Sequence, residues 1–368
     1  MLAALAVHPR PAGSPAEARA RELCAGRLRE LGFVVREEPF AYSALPGRWG
    51  TPLAGVVSAV ALASAGTLGA SGRPGGALAL LAGTGLALAL AGVWVARRGI
   101  LTLPLLRARA VNLVAERGSP PPGGERVWLV AHLDSKSQPV PIGLRASGVV
   151  ATALAWLAGA ALAAAQLAGA PLAGWWTPLA TAGVAAAVPV ALTTVGARSD
   201  GAVDNASGVA AVMDAAGRIA ADVAVGVLLP SAEELGLAGA RAWASRATPG
   251  VALNCDGVDD DGALVAMWSR RAPAGVLAAL DEAARATGQR IAARRLVPGI
   301  LTDGVALADA GWAVVTVSRG TRGTLRLIHT PADDLAALDG RGIAPTGRLL
   351  AAAATLLARG PRPTIDGA

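Results

Sequence analysis

Short apolar runs and longer helical stretches alternate along much of the chain. Ser14-Pro15-Ala16-Glu17 reads as a capping box with proline at the first helical position. Leu23, Leu28 and Leu31 lie on the helix it starts, and Gly32 ends it. Phe33-Val34-Val35 then reads as a strand. Residues 127–131, 223–229, 251–255 and 313–317 are apolar and partly β-branched, the signature of buried strands. Helical stretches near 205–221, 236–246, 273–288 and 341–358 separate or follow them. That alternation predicts an α/β fold with a mixed, mostly parallel central sheet and flanking helices. No repeat with a period of 20–50 residues is visible.

Three stretches break the pattern. Residues 49–72, 74–96 and 146–197, 99 in all, contain no Asp, Glu, Lys or Arg. Four segments within them, 51–71, 75–96, 147–168 and 174–195, approach the ~20 residues a helix needs to cross a bilayer. Turns at Ser71-Gly72-Arg73-Pro74 and Gly169-Ala170-Pro171 fold them into two hairpins, and Trp175 and Trp176 suit an interfacial belt. Buried Ala/Leu helices of a soluble protein are the alternative, but four charge-free runs of this length are unusual outside a membrane. The expected organisation is a discontinuous domain over 1–48, 97–145 and 196–368, interrupted by transmembrane hairpins at 49–96 and 146–195.

Charge sharpens this reading. Hydrophobic residues are 53% of the 368, yet the 269 residues outside the charge-free stretches hold all 59 charges, close to an ordinary globular protein. The net charge of +7 is almost wholly arginine, since Lys136 is the only lysine. The arginines are scattered and aromatics are 3%, which argues against nucleic acid and for an anionic membrane surface. Arg48, Arg97, Arg98, Arg107, Arg109, Arg145 and Arg198 flank the spans on the domain side, with Arg73 alone in a far-side loop. The positive-inside rule then places the domain on the cytoplasmic face of a multi-pass membrane protein. Cys24 and Cys255 form no disulfide or metal pattern, and the apolar start at 1–7 predicts no signal peptide.

The candidate chemistry sits at expected strand ends. His132 ends an apolar strand, within Val130-Ala131-His132-Leu133-Asp134-Ser135, where α/β proteins place their sites. Asp134 is spaced to accept the other ring N–H of His132 and fix its tautomer. Asp204 lies in a turn, Ser199 to Gly208, that leads into a helix of small residues. Glu233 and Glu234 follow a strand, and two adjacent carboxylates there are unfavourable unless a cation neutralises one. Asp256 ends the next strand, in Asn254-Cys255-Asp256-Gly257, and His329 lies in Ile328-His329-Thr330-Pro331. Asp259, Asp260 and Asp261 read as a solvated loop. Singly, each residue fits a structural role such as an N-cap or a first-turn acid. Together, two histidines and three carboxylates supply nitrogen and oxygen ligands suited to Zn²⁺. With one carboxylate bridging, such a set holds two metals about 3.5–4 Å apart.

In this order and context the residues resemble the co-catalytic zinc aminopeptidase family, metallopeptidase family twenty-eight, over roughly 8–48, 110–138 and 199–358. The resemblance implies a zinc aminopeptidase fold with two Zn²⁺ per chain. His132 and Asp256 would bind one zinc, Glu234 and His329 the other, and Asp204 would bridge. Glu233 would be the general base and Asp134 would orient His132. The chain departs from the family pattern at three points. Val203 stands where an acid often precedes the bridging Asp, and Gly304 where some members carry a His. The only tyrosine is Tyr42.

These readings converge on a membrane-embedded di-zinc metallohydrolase, an aminopeptidase removing N-terminal residues from peptides. The second hairpin follows the strand end that bears His132, so a membrane-associated or hydrophobic peptide or other amide substrate is expected. The alternatives are a single-zinc enzyme related to glutaminyl cyclase, another amide hydrolase, or an inactive membrane receptor on a peptidase fold.

Overall fold

A computed structural model describes residues 1–120, 125–297 and 299–360; the last eight residues of the segment expected to end at 368 lie outside it. The chain divides into two compact units: Met1–Tyr42, Arg107–Ser137 and Ala197–Ala368 form one, Ser43–Leu106 and Gln138–Gly196 the other.

The first unit is built on eight strands: β1 (Val34–Ser43, its last residue at the unit boundary), β2 (Arg107–Arg117), β3 (Val127–Val130), β4 (Val225–Leu229), β5 (Val251–Val258), β6 (Ala263–Trp268), β7 (Ile291–Arg295) and β8 (Ala313–Gly320). They form one sheet in the order β1-β2-β4-β3-β5-β8-β6-β7. Pairs β4/β3, β3/β5, β5/β8 and β6/β7 are parallel, whereas β2/β4 and β6/β8 are antiparallel. The mixed, mostly parallel sheet that the alternation predicts is therefore present. Its central strands β3 and β4 are buried on every residue, as parallel strands covered on both faces must be.

One face packs against helices Pro15–Glu30, Gly208–Arg218, Ala274–Ala286 and Ile343–Arg359, with Leu28, Leu129, Val227, Leu253, Val315 and Leu350 in the shared core. On the other face Trp243, from helix Ala238–Ala244, packs edge-on to Trp128 of β3 and tilted against Trp312, with ring centroids 4.6 and 4.9 Å apart, and Leu307 of helix Asp303–Asp309 joins the same cluster. The Ser14 cap is formed as the sequence predicts: its side chain accepts the N–H of Glu17. Strands β1 and β7 close the two edges, and both carry charged, exposed residues. Pro39 is tolerated in β1 because an edge strand has one side without ladder bonds.

The second unit is helical. Its main helices are Leu45–Ala70, Pro74–Trp94, Ile142–Leu167 and Trp176–Ala191. Three helices, Leu45–Ala70, Pro74–Thr102 and Ile142–Leu167, are long and apolar enough to cross a membrane. The fourth is shorter than expected from the charge-free stretch. Its 16 residues span about 24 Å, less than the roughly 30 Å hydrocarbon core. The chain spends residues 169–175 on a turn and a single 3₁₀ turn before that helix begins.

Close packing in this unit rests on small residues, as in membrane bundles. A Cβ on Gly55 would strike the backbone of Ala191, and one on Gly69 the ring of Trp176. Polar atoms are paired locally: Trp156 Nε1 donates to Leu81 O at 3.1 Å, and Trp176 Nε1 to Gln166 Oε1. Leu167 lies against Gly75, and Gln166 reaches Gly69 O. Arg145 therefore sits at the same end as Arg48, Arg97 and Arg98, with Arg73 at the opposite end. Leu53, Val56, Val60, Leu86, Leu90 and Leu157 are exposed, each by half or more.

Candidate metal centre

The parallel strands aim their carboxyl ends at one crevice, and the loops leaving them bring the candidate residues together. His132 follows β3, Glu233 and Glu234 follow β4, and Asp256 lies within β5. Asp204 precedes helix Gly208–Arg218, and His329 follows the short helix Thr324–Leu327.

Asp204 is central. Its Oδ1 lies 3.1 Å from His132 Nε2 and its Oδ2 lies 3.1 Å from His329 Nε2. His132 Nε2 is also 3.8 Å from Asp256 Oδ1, and His329 Nε2 is 3.3 Å from Glu234 Oε1. Two clusters result, His132–Asp204–Asp256 and Asp204–Glu234–His329, with ligand atoms in each within 4.8 Å of one another. All five expected ligands are thus neighbours, and each oxygen of one carboxylate faces a different histidine.

Asp134 departs from the simple expectation. The ring Nδ1 of His132 lies 3.0 Å from the main-chain carbonyl of Asp134, while the carboxylate Oδ1 is 3.7 Å away. The carboxylate instead accepts the N–H groups of Glu233 and Glu234 at 3.0 and 3.2 Å. One residue therefore orients the histidine through its backbone and the paired glutamates through its side chain.

Several supports carry no sequence motif. Asp333 accepts the N–H of Val203 at 2.6 Å and of Asp204 at 3.2 Å, fixing the central carboxylate. Asn205 donates to Cys255 O and accepts the N–H of Gly208 and Gly257, tying the Asp204 loop to β5. Arg10 is buried, and its guanidinium donates to the carbonyls of Leu5, Leu133, Asp200 and Gly201. It joins the His132 loop to the Asp204 loop. Asp260, expected in a solvated loop, accepts three N–H groups from residues 339, 340 and 342. Ala232 and His329 adopt left-handed backbone conformations, with φ of 57° and 64°. Such strain costs on the order of 1–3 kcal/mol per residue and concentrates where surrounding structure fixes functional groups.

Carboxylates crowd the site: Asp134, Asp204, Glu233, Glu234, Asp256 and Asp303 gather around two imidazoles and one ammonium, that of Lys136, 2.7 Å from Glu234 Oε2. Burial opposes ionisation of Asp204, but hydrogen bonds with His132 and His329 outweigh it and hold its carboxyl well below the usual range. Burial is likewise outweighed at Glu234 by Lys136 and His329, which bring it down to about 2. Burial pushes Glu233 well above the usual range, with His132 opposing and Glu234, Asp303 and Asp256 adding to the rise. Burial also raises Asp303 to about 8, and neither of its oxygens has a hydrogen-bond partner. His132 is pushed well up: burial opposes protonation, but Glu233 and the neighbouring aspartates prevail.

These residues fit a divalent metal. Glu234 Oε1 is buried without a hydrogen bond, an arrangement costly unless something else takes the lone pair. The donor set is imidazole nitrogen and carboxylate oxygen, suited to zinc. Gly304 also has a local explanation: a Cβ there would strike Thr316 Oγ1.

Residues 187–354 match the family model for peptidase family M28. That stretch is a little under half of the chain, and over it the chain is similar to peptidase family M28. Solved structures of low identity share its fold. An aminopeptidase from Aneurinibacillus sp. strain AM-1 is 14% identical with a TM-score of 0.55, the match covering 100% of this chain and 94% of that one. A zinc aminopeptidase from Bacillus subtilis is 15% identical (TM-score 0.54; 96% and 92% covered), and a Fimbriiglobus ruber glutaminyl cyclase 16% identical (TM-score 0.53; 96% and 92%). No curated protein matches the chain. The M28 match covers Asp204, Glu233, Glu234, Asp256 and His329; His132 and Asp134 lie before it.

Proposed function

We propose that the chain is a di-zinc aminopeptidase held in a membrane by its apolar helices. The observation that carries this reading is Asp204, whose two oxygens are shared between His132 and His329. A carboxylate so placed can join two metal positions, His132 and Asp256 completing one and Glu234 and His329 the other. Zinc held there supplies Lewis acidity toward a carbonyl and toward water.

The chain's own residues do the rest. Glu233, buried beside the clusters, takes a proton from the attacking water at its carboxylate and passes it to the leaving amine. Its neutral form is favoured by burial, and cations in the site favour the charged form needed to accept the proton. Asp134 holds the main chain of Glu233 and Glu234 in register with His132. Asp333 and Asn205 keep the Asp204 loop against β5.

The test is metal content per purified chain with hydrolysis of aminoacyl amides, with and without chelator. Two zincs and chelator-sensitive release of N-terminal residues support the reading. Cleavage that survives metal removal overturns it. A cyclase-type reading is favoured by one observation, the shared fold of glutaminyl cyclases at a TM-score of 0.53. It requires about one zinc per chain and turnover of N-terminal glutaminyl peptides without release of an amino acid.

The membrane part rests on three apolar helices and on a helical unit without a single Asp or Glu. Arg48, Arg97, Arg98 and Arg145 share one of its ends, which the positive-inside rule assigns to the cytoplasm. Fractionation with carbonate extraction tests the anchoring, and protease protection of the sheet-bearing unit tests the sidedness.

A further inference from the structure

The two oxygens of Glu234 live in different surroundings. Oε2 lies 2.7 Å from Lys136 Nζ, whereas Oε1 accepts no hydrogen bond and lies 3.3 Å from His329 Nε2. Oε1, Asp204 Oδ2 and His329 Nε2 converge, so Oε1 is the oxygen that faces the shared position. Lys136 is the only lysine in a chain whose other basic side chains are arginine or histidine. The difference is chemical. A guanidinium presents a planar fork that takes both oxygens of a carboxylate, whereas an ammonium is a compact donor that can hold one. An arginine at 136 would pull both Glu234 oxygens away from His329; a lysine leaves one free.

We infer that Lys136 is a positioning residue that makes Glu234 a one-oxygen metal ligand, by occupying Oε2 and leaving Oε1 to face His329 and Asp204. The inference rests on the metal-centre reading above and deepens it. The half-site of Asp204, Glu234 and His329 then offers three protein atoms, and a fourth position stays open for water or for the substrate, as catalytic zinc sites require. The half-site of His132, Asp204 and Asp256 has no ammonium in contact with its carboxylates among the described residues.

The test uses the full chain in detergent micelles, loaded with Co²⁺, with its visible d–d absorption recorded alongside metal content after dialysis. Four-coordinate cobalt absorbs more strongly than five-coordinate cobalt. Lys136→Met frees Oε2, so loss of d–d intensity at unchanged metal content is expected. Lys136→Gln keeps one N–H donor for Oε2 and is expected to retain the wild-type spectrum. Lys136→Arg engages both oxygens and is expected to lose one metal equivalent. Lys136→Ala replaces the Met variant should circular dichroism show that variant unfolded. A Met or Ala variant with the wild-type spectrum, or an Arg variant with full metal content, overturns the inference. Failure of the wild type to bind Co²⁺ or Zn²⁺ overturns the metal-centre reading instead, so the two failures are distinguishable.

Discussion

In the sheet-bearing unit the side chains hidden from solvent include Arg10, Glu17, His132, Asp134 and Asp303, while in the helical unit Leu86, Leu90 and Leu157 are exposed. The first unit spends stability on burying groups that prefer water: Arg10, Glu17, His132 and Asp134 each have a hydrogen-bond partner, whereas neither oxygen of Asp303 has one. The second has almost nothing polar to hide and presents apolar side chains outward, Leu53, Val60, Leu86, Leu90 and Leu157 among them. The contrast teaches where sensitivity resides. In one unit, single atoms matter. In the other, the average over many residues matters, and most single changes that preserve apolarity should be mild.

Four experiments press on this contrast, in descending order of effect. Glu233→Gln removes the carboxylate proposed as base while keeping its size. It should lower turnover by about 10²–10⁴-fold with zinc content unchanged, and unchanged turnover would remove Glu233 from the mechanism. Next, Leu90→Arg places a charge on an exposed, apolar helix face, costing about 2.5–3.5 kcal/mol of membrane insertion at mid-span. Leu90→Ala should change little, and the membrane-bound fraction of each variant checks the pair. Equal loss in both would show that this face packs against protein rather than lipid.

Asp333→Asn leaves the fold but weakens the grip on the N–H groups of Val203 and Asp204. Loss of such a support typically costs about 10–100-fold in metal affinity, measurable by competition with a chromophoric chelator. The smallest effect concerns Glu17, whose carboxylate accepts the Gly13 N–H and whose pKa burial raises to about 8 from the ordinary 4.5. The folded protein keeps a proton that the unfolded chain releases. The stability this contributes is complete below about pH 4.5 and is lost as pH rises through about 8. Glu17→Gln carries no such proton. The difference in Tm between variant and wild type should therefore grow in favour of the variant between pH 5 and pH 9. A pH-independent difference would contradict the raised value.

The sheet was legible where strands are buried on both faces, because β3, β4, β5 and β8 are near-continuous apolar runs. Strand β7 was not: Ile291-Ala292-Ala293-Arg294-Arg295 is an exposed edge whose side chains show no alternation. Helix Gly208–Arg218 starts later than its pattern suggests, since Asp204 and Asn205 leave helical φ/ψ to present the carboxylate. The ligand candidates were legible because reactive side chains at strand ends have few other reasons to recur. Arg10, Asp333 and Lys136 left no comparable trace. Apart from Leu5, the side-chain partners of Arg10 are 123 or more residues away, those of Asp333 about 130 and that of Lys136 98, and local pattern carries no such information.

The scarcity of lysine has a practical corollary. Reagents that acylate amines find no side-chain target elsewhere on this chain, because every other side-chain cation is a guanidinium or an imidazole. Lys136, largely covered and paired with Glu234, should react slowly in the folded protein. Its rate of acylation, followed by mass spectrometry on a single peptide, thus becomes an intrinsic gauge of how often that crevice opens to solvent.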